Sequence, residues 1–215
     1  KTGSESYWNP VPNYGFTLTL GQLETDAWFT VAPPWADWTV SSGALTTDLN
    51  NYVGESFEFE VRAKDRTGSY SLVYSSETTV YDNAAPQTAL TFPASGSSIF
   101  VSSLSAVVGN KVDYPLSAVG VSSGNVTKAQ VMFRRLRDGK YWKTGIGWSA
   151  STYIMTSTAS EINVYVSSWS VTSLPLANAA PPEDGLESGS SYYITSSGFD
   201  DADDGGNQEG WYSTR

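Results

Sequence analysis

Residues 54–68 read GESFEFEVRAKDRTG, and residues 189–207 read GSSYYITSSGFDDADDGGN. Each stretch opens on a glycine, Gly54 or Gly189. Eleven positions later an aspartate, Asp65 or Asp200, closes an alternating aromatic and aliphatic run, and a glycine-containing turn follows. In the first copy Phe57, Phe59, Val61 and Ala63 alternate with Glu58, Glu60, Arg62 and Lys64, the period of two that belongs to a half-buried strand. Two copies of one strand-and-turn signature imply two copies of one module, so the chain reads as a tandem array. Such arrays serve as spacers, stalks or adhesive surfaces more often than as enzymes.

Outward from these two stretches the pattern stays β. Phe16, Leu18 and Leu20 alternate with threonines and Gly21, and further strands are expected over 27–32, 72–81, 99–107, 127–136, 161–167 and 190–196. Gly, Pro, Asn, Asp and Ser turns separate them, and no stretch carries a capped period of 3.6. The expected fold class is all-β: two tandem antiparallel β-sandwich domains. Asp82-Asn83-Ala84-Ala85-Pro86-Gln87 cannot continue a ladder, which gives a first module at 1–83, a short linker at 84–87 and a larger second module at 88–215.

Composition removes whole classes of function. The 215 residues, 40% hydrophobic and 13% aromatic, suffice for one or two cores. With 22 acidic against 12 basic residues the net charge is -10, so a phosphate backbone meets repulsion and nucleic acid is not an expected partner. No apolar run is long enough to cross a bilayer, so no membrane insertion of this segment is expected, and the first residues show no signal-peptide pattern. Cysteine and histidine are both absent. That excludes disulfides, thiolate sites, His-rich metal sites and the Ser-His-Asp arrangement, leaving carboxylates, Lys and Tyr for any catalysis. The Ser, Thr, Gly, Asn and aromatic enrichment resembles an exported β-protein, so an extracellular or cell-surface location is expected.

Four constellations carry candidate chemistry. The acidic turn of Asp200, Asp201, Asp203, Asp204, Asn207 and Glu209 offers oxygens to a hard cation, calcium being the candidate, although Gly205 stands where an EF-hand-like loop has its third ligand. Tryptophans are the second. Trp28, Trp142 and Trp169 are expected in cores, whereas Trp35, Trp38 and Trp148 are candidates for a glycan platform or a subunit interface. Third, Glu58 and Glu60 share one strand face and read as surface charge rather than as a catalytic pair, and Glu183, Asp184 and Glu187 read the same way. Last, Lys128, Arg134, Arg135, Arg137, Lys140 and Lys143 concentrate half of the basic residues in one segment. That segment is either a patch for the acidic turn of a neighbouring molecule or for a charged glycan, or an exposed hairpin around an Asp138-Gly139 turn.

The run FEVRAKDRTGSYSLVYSSETTVYDNAAP, from Phe59 to Pro86, resembles the end of a bacterial fibronectin type III-like or immunoglobulin-like repeat. In such repeats an Ala-x-Asp-x-x-Gly turn ends the penultimate strand, and an Asp-x-x-Ala-Pro linker leads to the next copy. The second module resembles longer variants in large surface proteins, through DGKYWKTGIGW at 138–148, Trp169, and the Leu186 to Tyr192 strand entry. The resemblance implies a non-enzymatic structural or adhesive segment of an exported bacterial surface or filament protein. Its partners would be copies of itself or adjacent modules of a longer chain. The alternative is a carbohydrate-binding accessory module that uses Trp35, Trp38 and Trp148 on glycans. The second module departs from the pattern in length, with insertions expected around 136–160 and 174–186. Its last strand is short, so either the chain is a piece of a longer polypeptide or a neighbour supplies strand residues.

Overall fold

In the first copy of the repeat, Ser56–Val61 forms a strand that pairs residue for residue with Ser75–Val80, from Ser56 opposite Val80 to Val61 opposite Ser75. These are the third and fourth strands of a computed structural model that describes residues 6–9, 15–18, 28, 30–31, 39–94, 100–101, 103–175, 185–202 and 205–211. The architecture is predominantly β, in several antiparallel sheets. Two compact units are present. The first is Lys1–Asn83 together with Pro115–Ser123, and the second is Ala84–Tyr114 together with Gly124–Arg215.

The first unit holds β1 (Tyr7–Asn9) and β2 (Gly15–Leu18), paired antiparallel, a short helix α1 (Gly43–Leu49), and the ribbon of β3 (Ser56–Val61) and β4 (Ser75–Val80). The helix was not expected from periodicity, because it buries no residue and so shows no apolar stripe. Local capping defines it instead: Ser42 Oγ accepts the Leu45 amide at 3.3 Å. Apolar packing centres on Phe57, whose ring lies 5.1 Å from that of Phe16 and 6.5 Å from that of Tyr52. The expectation of a half-buried β3 holds for that residue and fails beyond it, since Phe59 and Val61 are exposed. A two-stranded ribbon has only as much core as its neighbours provide, and the Phe16–Tyr52 cluster reaches Phe57 alone. Gly54 enters β3 with φ +81°, and a Cβ there would lie 2.5 Å from Pro115 and 2.6 Å from Val121. The Ser122 amide donates to Gly54 O at 2.7 Å, which fastens Pro115–Ser123 into this unit.

In the second unit, β7 (Lys128–Arg135) is the hub of one sheet. β13 (Tyr192–Phe199) covers its full length on one side, while β8 (Tyr141–Lys143) and β10 (Met155–Thr156) share the other, and β9 (Gly147–Ser149) follows β8. A second sheet runs β11 (Ile162–Val164), β12 (Ser168–Val171), β6 (Val108–Val112), β5 (Gln87–Phe92). The two sheets pool their inward side chains in one core. Ala129, Val131 and Phe133 of β7, Trp142 and Met155 join Ile162, Trp169 and Val171 from the other sheet, with Val107. Trp169 is wholly buried and stands opposite Gly109 in the ladder. Its ring lies where a Gly109 side chain would be, and its Nε1 donates to Asn110 O at 3.1 Å. The strand expected over 99–107 instead begins at Val108, where Gly109 makes room for that indole, and the expected linker gives way to β5 from Gln87 onward. Of the strand expected over 27–32, Trp28, Thr30 and Val31 are described and lie outside any strand.

Replacing Trp169 with Ala should cost about 3–5 kcal/mol, and Gly109→Ala about 1–3 kcal/mol by overpacking. Because the two share one volume, Gly109→Ala should cost less in the Trp169→Ala background, as urea denaturation of the four-membered cycle will show.

Candidate functional site

The two aspartates that close the repeated stretches do the same local work. Asp65 Oδ1 accepts the Thr67 amide at 2.8 Å, the Thr67 hydroxyl at 2.7 Å and the Ser69 amide at 2.9 Å. Asp200 Oδ1 accepts the Ala202 amide at 3.0 Å and the Asn207 amide at 2.6 Å, while Oδ2 takes Asn207 Nδ2 at 2.9 Å. In both, a carboxylate two residues ahead of an amide folds the turn around itself. The Thr67 hydroxyl first, then the backbone amides, hold the Asp65 carboxyl below its usual range. The glycines that open the stretches also correspond, Gly54 at φ +81° and Gly189 at φ +79°.

That geometry decides what the acidic turn offers. Of the candidate calcium ligands, Asp203 and Asp204 lie outside the described residues. Asp200 is buried, with both oxygens bonded to its own turn, and Asn207 presents donors to it. Asp201 is exposed and accepts the Asn125 amide at 2.8 Å and Asn125 Nδ2 at 3.3 Å. Asp113, also buried, brings a carboxylate oxygen within 4.8 Å of one from Asp200. The compensating cation from the same unit is Lys111, which feels Asp113 and Asp201 and donates to Val126 O. Burial nonetheless moves the Lys111 pKa down.

Glu209 is a further buried acid at this end of the chain. Its Oε2 accepts the Thr88 amide at 2.8 Å, the Thr88 hydroxyl at 2.6 Å and the Gly198 amide at 3.1 Å, so it ties β5 of one sheet to β13 of the other. Oε1 has no hydrogen-bond partner, and burial raises the carboxyl pKa against the pull of those three donors. Glu161 plays a similar part, accepting the Tyr153 hydroxyl at 2.8 Å and the Thr156 amide at 3.0 Å. Among the described residues, the strongly held carboxylates serve as pegs for backbone and hydroxyl groups.

Of the aromatic candidates, Trp35 and Trp38 lie outside the described residues. Trp148 is half-buried and packed: it stacks on Tyr192 at 5.5 Å, meets Phe133 and Trp142 edge-on at 5.5 and 5.6 Å, and donates Nε1 to Gly185 O at 2.9 Å. The Arg135 guanidinium carbon sits 4.8 Å from its ring centroid. Trp142 and Trp169 are buried, whereas Trp28 is half-buried beneath Arg62, whose guanidinium lies 3.9 Å from the Trp28 ring and 4.1 Å from that of Tyr70.

The basic segment divides by strand alternation. Arg135 points into the core side with 1% exposure and is held by Asp138 through Nε at 3.2 Å and Nη2 at 2.7 Å. The guanidinium holds the Asp138 carboxyl down to about 2. Arg137 pairs with Glu187. An Asp138-Gly139 turn joins β7 to β8, with Gly139 at φ +73°. Lys128 and Arg134 point outward, and among the described residues neither they, Lys140 nor Lys143 makes an ion pair. Sequence reasoning grouped six cations because it lacked the β7 register that turns Arg135 inward.

One further feature, the ribbon edge, drew no attention in the sequence. Every residue of β4 is exposed, and among the described residues β4 pairs only with β3. Ser-Ser-Glu-Thr-Thr-Val has β-branched residues without an apolar face, the pattern of an edge rather than of a covered strand. Glu58 and Glu60 are exposed, as their alternation indicated. Comparison of the chain with protein-family models, with curated proteins and with solved structures gave no match.

A raised folded-state pKa means that the stability Glu209 contributes is full below its ordinary value of 4.5 and is lost as pH rises through the raised one. Thermal melts of Glu209→Gln should therefore gain on wild type progressively as pH increases from 4 to 7. The sign is opposite for Asp138, whose depressed pKa gives stability that is present above 3.8 and lost toward about 2. Asp138→Asn should lower the melting temperature at neutral pH and remove that acid-side loss.

Proposed function

We propose that the chain is a non-enzymatic structural or adhesive segment of an exported bacterial surface or filament protein. Its units act as immunoglobulin-like or fibronectin type III-like sandwich modules that meet copies of themselves, or adjacent modules of a longer chain, through strand edges. The observation that carries this reading is the edge of β4, six consecutive exposed residues that among the described residues pair only with β3. Unpaired amides and carbonyls along a strand are a template for another strand. Supporting it, two sheets of the second unit share one core, and acids such as Asp200, Glu161 and Glu209 bond to turns and strand ends. The glycan alternative draws no support from Trp148, whose ring is occupied by Tyr192, Phe133, Trp142 and Arg135.

The Tyr81 amide donates to Glu55 O, so by antiparallel alternation the amides of Ser76, Thr78 and Val80 face away from β3. Thr78→Pro removes an outward donor without breaking the β3–β4 ladder. Wild-type material should form oligomers or filaments, seen by electron microscopy and by mass in solution, and Thr78→Pro should weaken that association roughly tenfold or more. Monomers at every concentration tested would sink the assembly reading.

A further inference from the structure

We infer that the outward face of the β7–β8 hairpin is a cationic docking surface for the acidic β3–β4 ribbon of a second copy of this chain. The inference rests on the reading above that copies of the chain associate, and places a contact on a sheet face in addition to the strand edge. Core-side residues of β7 are Ala129, Val131, Phe133 and Arg135, so Lys128, Gln130, Met132 and Arg134 form its outer row. On β8 the buried Trp142 turns inward, leaving Tyr141 and Lys143 outward. The register puts Arg134 between two tyrosines, Tyr141 on β8 and Tyr193 on β13, with its guanidinium carbon 5.7 Å from the Tyr141 centroid. Lys143 Nζ stands 5.2 Å from the Tyr153 ring. The face is therefore basic and aromatic, with cations held over rings that limit their freedom before any partner arrives.

Charge complementarity selects the occupant. The stretch from Lys128 to Lys143 holds six of the chain's 12 basic residues and a single acid, Asp138, in a molecule of net charge -10. A second copy is thus a strongly acidic partner for this one face. Of the acidic turn at 200–209, the described acids offer less: Asp200 and Glu209 are buried on their own hydrogen bonds and Asp201 is bound to Asn125. The ribbon instead presents Glu58 and Glu60 together on one face, with Glu77 on the other, all three exposed and without an ion pair among the described residues. The Glu58 and Glu60 carboxylates stand two residues apart on one strand face, so their like charges repel each other. A cationic sheet surface relieves that repulsion and directs encounter. The contact is heterologous, one patch meeting a different one, which propagates copy to copy unless the rotation closes a ring.

Sedimentation at about 0.02 M and about 0.5 M salt tests this, since charge pairing at the surface weakens as the Debye length shortens. Two charge-reversed proteins are needed: Arg134→Glu with Lys143→Glu, and Glu58→Lys with Glu60→Lys, each first checked for an unchanged circular dichroism spectrum. Wild type should associate at low salt and at least tenfold less at high salt. Each reversed protein alone should stay monomeric at low salt, and an equimolar mixture of the two should associate again. Association of either reversed protein at wild-type strength, or no recovery on mixing, overturns the inference while leaving assembly by another surface intact. A wild type that is monomeric at every salt overturns both.

Discussion

The indole of Trp169 occupying the side-chain space of Gly109 is the contact on which the second unit depends. Two sheets can share a core only if something large fills the volume between them, and a strand-centre glycine is ordinarily a weakness there. Here the vacancy in β6 and the bulk of β12 are one fit, with the indole N–H returned to the backbone at Asn110. The burial of Phe133, Met155 and Ile162 around it follows from having that slab in place. Arg135, at the far end of the same β7 row, continues the inward pattern with a charge, and so it brings its own carboxylate, Asp138, and an aromatic cover, Trp148.

Charge is distributed on the same logic. Acids that enter the interior are each assigned donors: Asp200 its turn, Glu161 a tyrosine and an amide, Glu209 the meeting of β5 and β13. On the surface, Glu58, Glu60 and Glu77 belong to the ribbon strands, with Lys64 and Arg66 exposed on the connection beyond β3, whereas Lys128 and Arg134 are exposed on β7. A chain of net charge -10 thus concentrates half of its basic residues in the single segment from Lys128 to Lys143, which gives that segment a sign opposite to the whole.

Much of the framework was legible beforehand. Alternation located β3, β7 and β13 because each has a covered face at least in part, and the paired Gly-to-Asp spacing marked two turns whose aspartates prove to cap them alike. Periodicity missed α1, since a helix with no buried residue leaves no apolar stripe, and missed β5, whose start at Gln87 coincides with a proline-bearing segment that reads as linker. It also placed Phe59 and Val61 in a core, because a pattern states which residues share a face and says nothing of whether anything covers it. The site was less legible than the fold. Six neighbouring cations in sequence divide into buried, paired and outward-facing groups only once the register of β7 is known.

The fastening of Pro115–Ser123 onto Gly54 gives the first unit a discontinuous sequence. During synthesis its closing piece leaves the ribosome only after β5 and β6 of the other unit, at about 5–20 residues per second. The earlier unit therefore waits, with Gly54 uncovered, while part of the later one is already available to pair. Maturation of the two is interleaved in time, and a nascent chain halted before residue 115 holds neither finished.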